Sequence, residues 1–350
     1  MHGRETPLLL PALFGALCLG LTACGEPAAP AAPADLPVPS PPQAQSSEQS
    51  ENRGPPRYQG LSIDDAGLSA IQTACSRTPT SPEGAAYAGP VVDAHVHTAL
   101  ENNQRDFALA LLQEMNQSGV SRVLVQPDHS PDLTLHPGLL QVYREVESTW
   151  GRIASVCDRI LPLVYAFDPA DPGAWDYVQQ RLETGHYAGV GEIEFLHTRM
   201  GIRKPVHSET MDRIYRALQE RVMVFHFQAD TARDPALGTE IGKLINSYPG
   251  ISFVWFGSDQ CFDHPEASNL LCTVFPNRQL VIFDGLEPWQ TQRAVMGTDA
   301  SPAGFHSASQ GHLPYSTLGE GVSVIREMLG KFDQQKAGGI GHRHFDRLLD

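Results

Sequence analysis

The sequence has no run of basic residues and no Cys-x-x-Cys pair, and its formal net charge is −15 over 350 residues. Nucleic-acid binding relies on clustered Lys and Arg, so the acidic composition argues against a nucleic-acid substrate. The missing Cys-x-x-Cys argues against a zinc ribbon or a redox dithiol. Beyond the N-terminal region, the cysteines allow three disulfide pairings, and the sequence does not choose among them. These cysteines are Cys75, Cys157, Cys261 and Cys272.

The N-terminal region is typical of an exported protein. An apolar segment over residues 8–21 ends in Leu21 and is followed by Thr22, Ala23 and Cys24. A small-residue site after a hydrophobic run predicts a signal peptide over residues 1–23, and the run is too short to be a membrane-spanning helix. The ending resembles a bacterial lipobox, which implies that acyl chains on Cys24 anchor the protein to a membrane of the cell envelope. A simple secreted form is the alternative.

The next segment differs from the rest of the chain in composition. Residues 24–57 are rich in Ala, Pro, Ser, Gln and Glu and contain almost no aromatic residues. Such a segment cannot bury enough apolar surface to become ordered, so we predict a disordered tether. Residues 58–350 then form the folded part of the chain, which is long enough for one large α/β domain or two small ones.

Apolar strand-like segments alternate with helix-like segments along this domain. Alternation of this kind predicts parallel strands joined by right-handed crossovers. Eight such units in fewer than 300 residues favour a (β/α)₈ barrel over an open doubly wound sheet, which remains the alternative. No Gly-x-Gly-x-x-Gly follows the first strand, which argues against dinucleotide binding. The predicted strands are Val91–His97, Arg122–Gln126, Ile160–Phe167, Ala188–Phe195, Val222–Gln228, Ile251–Phe256, Leu280–Asp284 and Ala294–Gly297, and Pro265–Val274 is among the predicted helices.

The first predicted strand, Val91–His97, ends in Asp-Ala-His-Val-His. Because side chains alternate along a strand, His95 and His97 should lie on one face about 7 Å apart. Two imidazoles placed in this way can hold one divalent metal ion. A second pair at residues 342–344 lies in a polar, helix-like segment where successive side chains face different ways. The alternative for the first pair is an ordinary strand with surface histidines.

Carboxylates, amides and imidazoles recur at the ends of the other predicted strands. In barrel enzymes the active site lies at the carboxyl ends of the strands. Buried charges are costly unless they are paired or bound to metal, so this set predicts a cation at the barrel mouth. His226 alone is typical of a core histidine, and Asp299 alone of a helix or turn cap. The residues, in strand order, are Gln126, Asp128, His129, Asp168, Glu192, Glu194, His226, Asp259, Asp284 and Asp299.

Four short segments at the predicted strand ends together resemble the metal-dependent amidohydrolase superfamily. The similarity is to the branch of that superfamily that includes decarboxylases as well as hydrolases. They are Asp93–His97, Gly191-Glu192, Phe225-His226 and Gly297–Asp299, in the order that the family has. The resemblance covers roughly residues 88–350. It implies a barrel that acts on a small-molecule carbonyl substrate with a metal-activated water.

The resemblance also implies a role for each matched residue. His95, His97, His226 and Asp299 would ligate a divalent metal, with zinc expected before manganese or iron. Asp299 would also take the proton of the attacking water and pass it to the leaving group. Glu192 stands where some family members bridge a second metal ion, so one or two ions are expected. Glu194 is the alternative ligand on the same strand face.

The sequence departs from the family pattern at two places. The sixth strand ends in Trp-Phe-Gly-Ser-Asp without the usual histidine, and Asp259 or His264 is a candidate replacement. The fourth strand end has no lysine, which argues against a carbamylated-lysine site. Candidate substrate contacts follow the eighth strand, with a plain surface loop as the equal alternative, at Phe305, His306, His312, Pro314 and Tyr315.

The sequence therefore predicts a metal-dependent hydrolase of a small amide, ester or lactone, or a related decarboxylase. A catalytically degenerate barrel that binds a ligand or scaffolds partners at the envelope is the alternative, supported by the missing histidine. A metallophosphoesterase is disfavoured, because Arg199, Arg203 and Lys204 are the only basic residues near the predicted strand ends. The sequence gives no indication of oligomeric state.

Overall fold

Short runs rich in Val, Ile, Leu and Phe form the strands, as expected for residues that pack well on a pleated surface. The computed structural model describes residues 60–98, 100, 103–127, 137–198, 201–256, 259–274, 290, 292–300 and 317–347. The strands are β1 (Val91–Thr98), β2 (Val120–Pro127), β3 (Ile160–Val164), β4 (Gly189–His197), β5 (Ile202–Arg203), β6 (Val224–Ala229), β7 (Ser252–Phe256), β8 (Leu270–Val274) and β9 (Ala294–Met296).

Helices with clear capping signals lie between most of the strands. Asn103 Oδ1 accepts hydrogen bonds from two backbone N–H groups of the first turn of α2, and Gly119 ends that helix at φ 72°. Both are residues that helix termini prefer. None of the described helices is both long and apolar enough to cross a membrane. The helices are α1 (Asp65–Cys75), α2 (Gln104–Ser118), α3 (Pro137–Ala154), α4 (Ala174–Glu183), α5 (Glu209–Arg221), α6 (Pro235–Ser247), α7 (Leu318–Leu329), α8 (Gln334–Gly338) and α9 (His344–Asp346), with a π-helical turn at Gly339–Arg343.

Eight of the strands form a barrel in which every hydrogen-bonded pair is parallel. Their order is β1-β2-β3-β4-β6-β7-β8-β9, and the short β5 pairs antiparallel with β4. The chain after β9 closes the barrel onto β1. Asp299 N donates to His95 O at 3.1 Å, and His97 N donates to Ala300 O at 3.2 Å. The predicted (β/α)₈ fold is confirmed.

Apolar side chains fill the barrel interior at the amino ends of the strands. Phe345 of α9 packs with these residues, and the neighbouring His344 Nδ1 lies 3.2 Å from the carbonyl oxygen of Ala294, the first residue of β9. The C-terminal segment therefore plugs the amino end of the barrel. The other interior residues are Val92, Ala94, Leu124, Leu163, Val224, Val254, Leu271 and Val295.

The prediction for the seventh barrel strand was wrong. Leu270–Val274 forms β8, paired with β7 on one side and β9 on the other, whereas the sequence predicted a helix over Pro265–Val274. Apolar segments of this length do not distinguish a buried strand from a buried helix by periodicity. A 3₁₀ turn at Asp259–Asp263 takes the place of a full helix between β7 and β8. The predicted strand Leu280–Asp284 lies outside the described residues.

The cysteines form two disulfide bonds, Cys75–Cys157 and Cys261–Cys272. The first joins the end of α1 to the segment after α3 and spans 82 residues. The helix α1, for which the sequence analysis made no prediction, is thus fastened covalently to the barrel. The second disulfide joins the 3₁₀ turn after β7 to β8.

Removing the longer disulfide should destabilise the domain. A crosslink over 82 residues restricts the unfolded chain, so we expect the Cys75→Ala/Cys157→Ala variant to lose about 2–4 kcal/mol of unfolding free energy. Urea denaturation followed by tryptophan fluorescence measures this loss. The matched Cys261→Ala/Cys272→Ala variant, whose crosslink spans 11 residues, should lose less. An equal loss in both variants would contradict the loop-length argument.

Candidate active site

The carboxylate of Asp93 joins the two strands that carry the predicted ligands. It is fully buried and accepts hydrogen bonds from His95 N at 3.0 Å, Thr298 N at 3.1 Å and Thr298 Oγ1 at 2.6 Å. Asp93 thereby fixes the end of β1 against the segment after β9. Burial raises the pKa of Asp93 to about 6, although these hydrogen bonds oppose the shift. Its side chain has a positioning role that the sequence analysis did not identify.

Three predicted ligands from these two strands lie in contact. His95 Nε2 and His97 Nε2 are 2.8 Å apart, and His97 Nε2 is 2.9 Å from Asp299 Oδ1. His95 Nε2 is 3.5 Å from the same carboxylate oxygen. Asp299 has a positive φ of 55°, a conformation that Asp and Asn adopt more readily than most residues. The two histidines share a strand face, as the sequence predicted.

A second set of groups meets His95 from β4 and β6. His95 Nδ1 lies 3.3 Å from His226 Nε2, and His95 Nε2 lies 3.9 Å from Glu192 Oε2. Gln126 of β2 donates from Nε2 to Glu192 Oε2 at 3.4 Å. A Cβ at Gly191 would lie 2.2 Å from the carbonyl oxygen of His226, so a glycine is required where β4 passes β6. This close approach brings Glu192 to the cluster.

The site lowers the pKa of two of its histidines, His95 and His226, and of its aspartate, Asp299. Burial, and secondarily the charge of His97, lowers the pKa of His226 to about 3, and burial also holds the pKa of His95 well below its usual value. Burial tends to raise the pKa of Asp299, but hydrogen bonds with His95 and His97 outweigh this effect and lower it. Neutral imidazoles and an ionised carboxylate are the forms that bind metal ions.

The donor atoms fit a divalent metal ion. Two sets, His95–His97–Asp299 and His95–Glu192–His226, each have ligand atoms within 4.8 Å of one another. His226 Nδ1 is buried and has no hydrogen-bond partner among the described residues. Imidazole and carboxylate donors suit zinc, manganese or iron. Since both sets contain His95, this geometry is compatible with one or two ions.

The sixth barrel strand, β7, ends in Phe256, and no histidine from this strand reaches the cluster. Phe256 stacks on His95 with ring centroids 3.6 Å apart and planes at 14°. His264 does not replace the missing histidine: its ring packs against Trp255 and lies close to Gly242 of α6, on the outer side of the barrel. That candidate was wrong, because the His264 ring lies between Trp255 and α6 and not at the His95 cluster. The backbone of Asp259 lies in the 3₁₀ turn, and its side chain lies outside the description.

Some of the remaining predicted residues lie in the described part of the chain but away from the His95 cluster, and the others lie outside the described residues. Asp168 Oδ1 accepts from Ala170 N at 2.9 Å and so caps a turn, and Arg203 pairs with Asp234 at 2.8 Å. Glu194 is 6% exposed and lies on β4 two residues beyond Glu192. The predicted residues outside the description are Cys24, Asp128, His129, Arg199, Asp284, Phe305, His306, His312, Pro314 and Tyr315.

Comparison with known proteins supports the fold. No family model matches the sequence, and no curated protein matches it. A solved structure of 2,6-dihydroxybenzoate decarboxylase with 2,6-dihydroxybenzoate superposes with a TM-score of 0.52 at 12% identity, covering 74% of this chain and 99% of the decarboxylase. A 4-oxalomesaconate hydratase from Rhodopseudomonas palustris gives a TM-score of 0.48 at 12% identity, covering 74% of this chain and 95% of that chain.

A probable 2-pyrone-4,6-dicarboxylic acid hydrolase from Acinetobacter baumannii gives a TM-score of 0.45 at 10% identity, covering 74% of this chain and 98% of that chain. At 12% identity, the likeness to the decarboxylase structure shows a shared barrel fold and no more.

Proposed function

We propose that this chain is a metal-dependent hydrolase of a small carbonyl compound, or a decarboxylase on the same scaffold. The observation that carries the proposal is the pair of ligand sets sharing His95 at the carboxyl end of a closed parallel barrel. Three buried imidazoles and two largely buried carboxylates converge there. A metal ion offsets the cost of burying such groups together.

The residues have distinct roles in this proposal. His95, His97, His226 and Asp299 hold a divalent metal ion, and Glu192 binds a second ion or supports the first through Gln126. A bound metal lowers the pKa of water towards neutrality and polarises the substrate carbonyl. The ionised carboxylate of Asp299 accepts the proton of the attacking water and delivers it to the leaving group. Asp93 holds β1 and the Asp299 segment in register through its three hydrogen bonds.

We further propose that the domain acts at the bacterial cell envelope, on a tether over residues 24–57 anchored by lipid at Cys24. The two disulfide bonds support an oxidising compartment, since disulfides are rare in reducing cytosol. In this proposal, cleavage after residue 23 removes the signal peptide, and residues 58–350 act on a small molecule outside the cytoplasm.

Metal content of the purified full-length protein tests the function. We expect near-stoichiometric zinc, manganese or iron by inductively coupled plasma mass spectrometry, and at least a tenfold loss in a His95→Ala/His97→Ala variant. The matched control is His186→Ala/His207→Ala, which removes two exposed histidines and should keep the metal. Circular dichroism of each variant checks that the barrel is folded.

The possible outcomes separate the proposals clearly. Two ions per chain would support Glu192 as a ligand to a second metal. A folded wild-type protein that contains no metal and takes up none from added zinc or manganese would contradict the enzyme proposal. That result would favour a barrel that binds a ligand without turnover, for which the aromatic Phe256 in the sixth-strand position is the supporting observation.

A further inference from the structure

The side chain of Gln126 reaches the metal-binding cluster from β2. Leu124 of the same strand faces the barrel interior, so strand alternation turns Gln126 to the same side two residues nearer the mouth. In the register with β1, Gln126 is the Cα partner of His97. The residue is only 1% exposed. The proposed function gives this buried amide no role beyond its contact with Glu192.

The amide group of Gln126 lies against His95, the ligand that both metal-binding sets share. Gln126 Nε2 contacts His95 Nδ1 and lies 2.9 Å from Nε2 of the same ring. It lies 3.4 Å from Glu192 Oε2. Atoms that bind one ion at about 2.0–2.2 Å are separated by about 2.8–3.6 Å in octahedral or tetrahedral geometry. The amide group therefore stands at the spacing of a further ligand from His95 Nε2 and Glu192 Oε2.

The orientation of the Gln126 carboxamide decides which chemistry it offers to the cluster. Gln126 Oε1 is buried and has no hydrogen-bond partner among the residues that the structure describes, which is costly. The amide nitrogen can only donate, so beside His95 it competes with a metal ion for the imidazole lone pair. Rotation about the last side-chain bond exchanges the two amide atoms. The rotated group turns Oε1 towards His95 and Glu192, where the oxygen can bind a cation.

We propose that Gln126 Oε1 is a metal ligand, the fourth donor of the set formed by His95, Glu192 and His226. The strand β7 ends in Phe256 and contributes no imidazole to the cluster, so β2 supplies the additional donor. Two nitrogen and two oxygen donors suit manganese or iron as well as zinc. The inference rests on the proposed metal-dependent function and extends the ligand set of that site.

Metal affinities of two Gln126 variants test this role in the purified full-length protein. Competition with a fluorescent chelator measures the affinities for zinc and for manganese. Gln126→Leu removes the oxygen donor and should weaken metal binding at least about tenfold. Gln126→Glu offers a carboxylate oxygen at the same reach. It should bind the metals at least as tightly as wild type, because a charged ligand attracts the cation more strongly.

The Gln126→Glu variant also distinguishes a ligand from a residue that only holds Glu192 in place. If the amide acted solely as a donor to Glu192 Oε2, a second carboxylate beside Glu192 would repel it and weaken metal binding as Gln126→Leu does. The d–d absorption bands of the cobalt(II)-substituted protein give a second readout, because they depend on the donor set. We expect these bands to change in Gln126→Leu.

Gln104→Leu is the matched control for the loss of a buried amide. Gln104 is 0% exposed, and its Oε1 accepts a hydrogen bond from Trp150 Nε1 at 2.9 Å, between α2 and α3. This variant should keep the metal affinities and the cobalt bands of the wild type. Circular dichroism checks that each variant is folded.

Two results would overturn the inference and leave the proposed function intact, because the wild-type protein would still bind metal. The first is an unchanged metal affinity in Gln126→Leu. The second is equal weakening in Gln126→Leu and Gln126→Glu with unchanged cobalt bands. A folded wild-type protein that binds neither zinc nor manganese would overturn both the inference and the proposed function.

Discussion

Replacing Asp299 with asparagine should lower turnover of a carbonyl substrate by about 10²–10⁴-fold, because the amide cannot take up the proton of the attacking water. The carboxylate oxygen lies 2.9 Å from His97 Nε2 and 3.5 Å from His95 Nε2. Asparagine tolerates the positive φ of 55° at this position, so the backbone that closes the barrel should be preserved. Steady-state hydrolysis of a panel of small amides, esters and lactones provides the measurement.

A matched control distinguishes the loss of proton transfer from a structural effect of substituting any aspartate near the carboxyl ends of the strands. Asp168 also follows a barrel strand, but its carboxylate caps a local turn. Asp168→Asn should leave turnover within about twofold of wild type. Metal content should be measured in both variants, since three imidazoles remain to bind the ion in Asp299→Asn. Full turnover in Asp299→Asn with metal bound would refute the proposed proton-transfer role.

Replacing Glu147 with alanine should destabilise the domain by about 3–5 kcal/mol, as is typical when one partner is removed from a buried charge network. The fully buried carboxylate accepts from Tyr165 N at 2.7 Å, Ala166 N at 2.8 Å and Tyr177 Oη at 2.5 Å, and it pairs with Arg181 Nε at 3.3 Å. Burial raises the pKa of Glu147, although these hydrogen bonds oppose the shift. Alanine would leave four donors without this acceptor.

Chemical denaturation of the Glu147→Ala variant measures this effect. The matched control is Glu145→Ala, two positions earlier on α3, where the side chain is exposed and contacts Gln141 at 3.3 Å. A surface substitution of this kind should change stability by less than about 0.5 kcal/mol. The prediction fails if the two variants unfold at the same denaturant concentration.

The sequence predicted the barrel because seven of its eight strands have a clear apolar signal between helices. Val91–His97 and Val222–Gln228, for example, each overlap a strand of the structure. The seventh strand was misplaced because the alternation of helix and strand fails between β7 and β8, where only a 3₁₀ turn intervenes. The alternation of helices and strands therefore predicted the barrel fold correctly but misplaced its seventh strand, β8.

The candidate site was partly predictable for a geometric reason. The carboxyl ends of parallel strands in a barrel meet at one mouth, so residues distant in sequence, such as His95 and His226, were expected to come together. The structure places them 3.3 Å apart. The stacking of Phe256 on His95 and the positioning role of Asp93 depend on strand register and on side-chain direction, which the sequence does not specify.

Phe345 and the apolar side chains around it close the amino end of the barrel, so the barrel is not a continuous channel. Apolar side chains and the C-terminal segment fill the amino end of the described barrel, so a small molecule would reach the His95 cluster from the opposite end. Under the proposed function, a product formed beside His95 would leave by the route through which the next substrate enters. Release and entry are thus mutually exclusive events, and accumulated product should compete with substrate for the same passage.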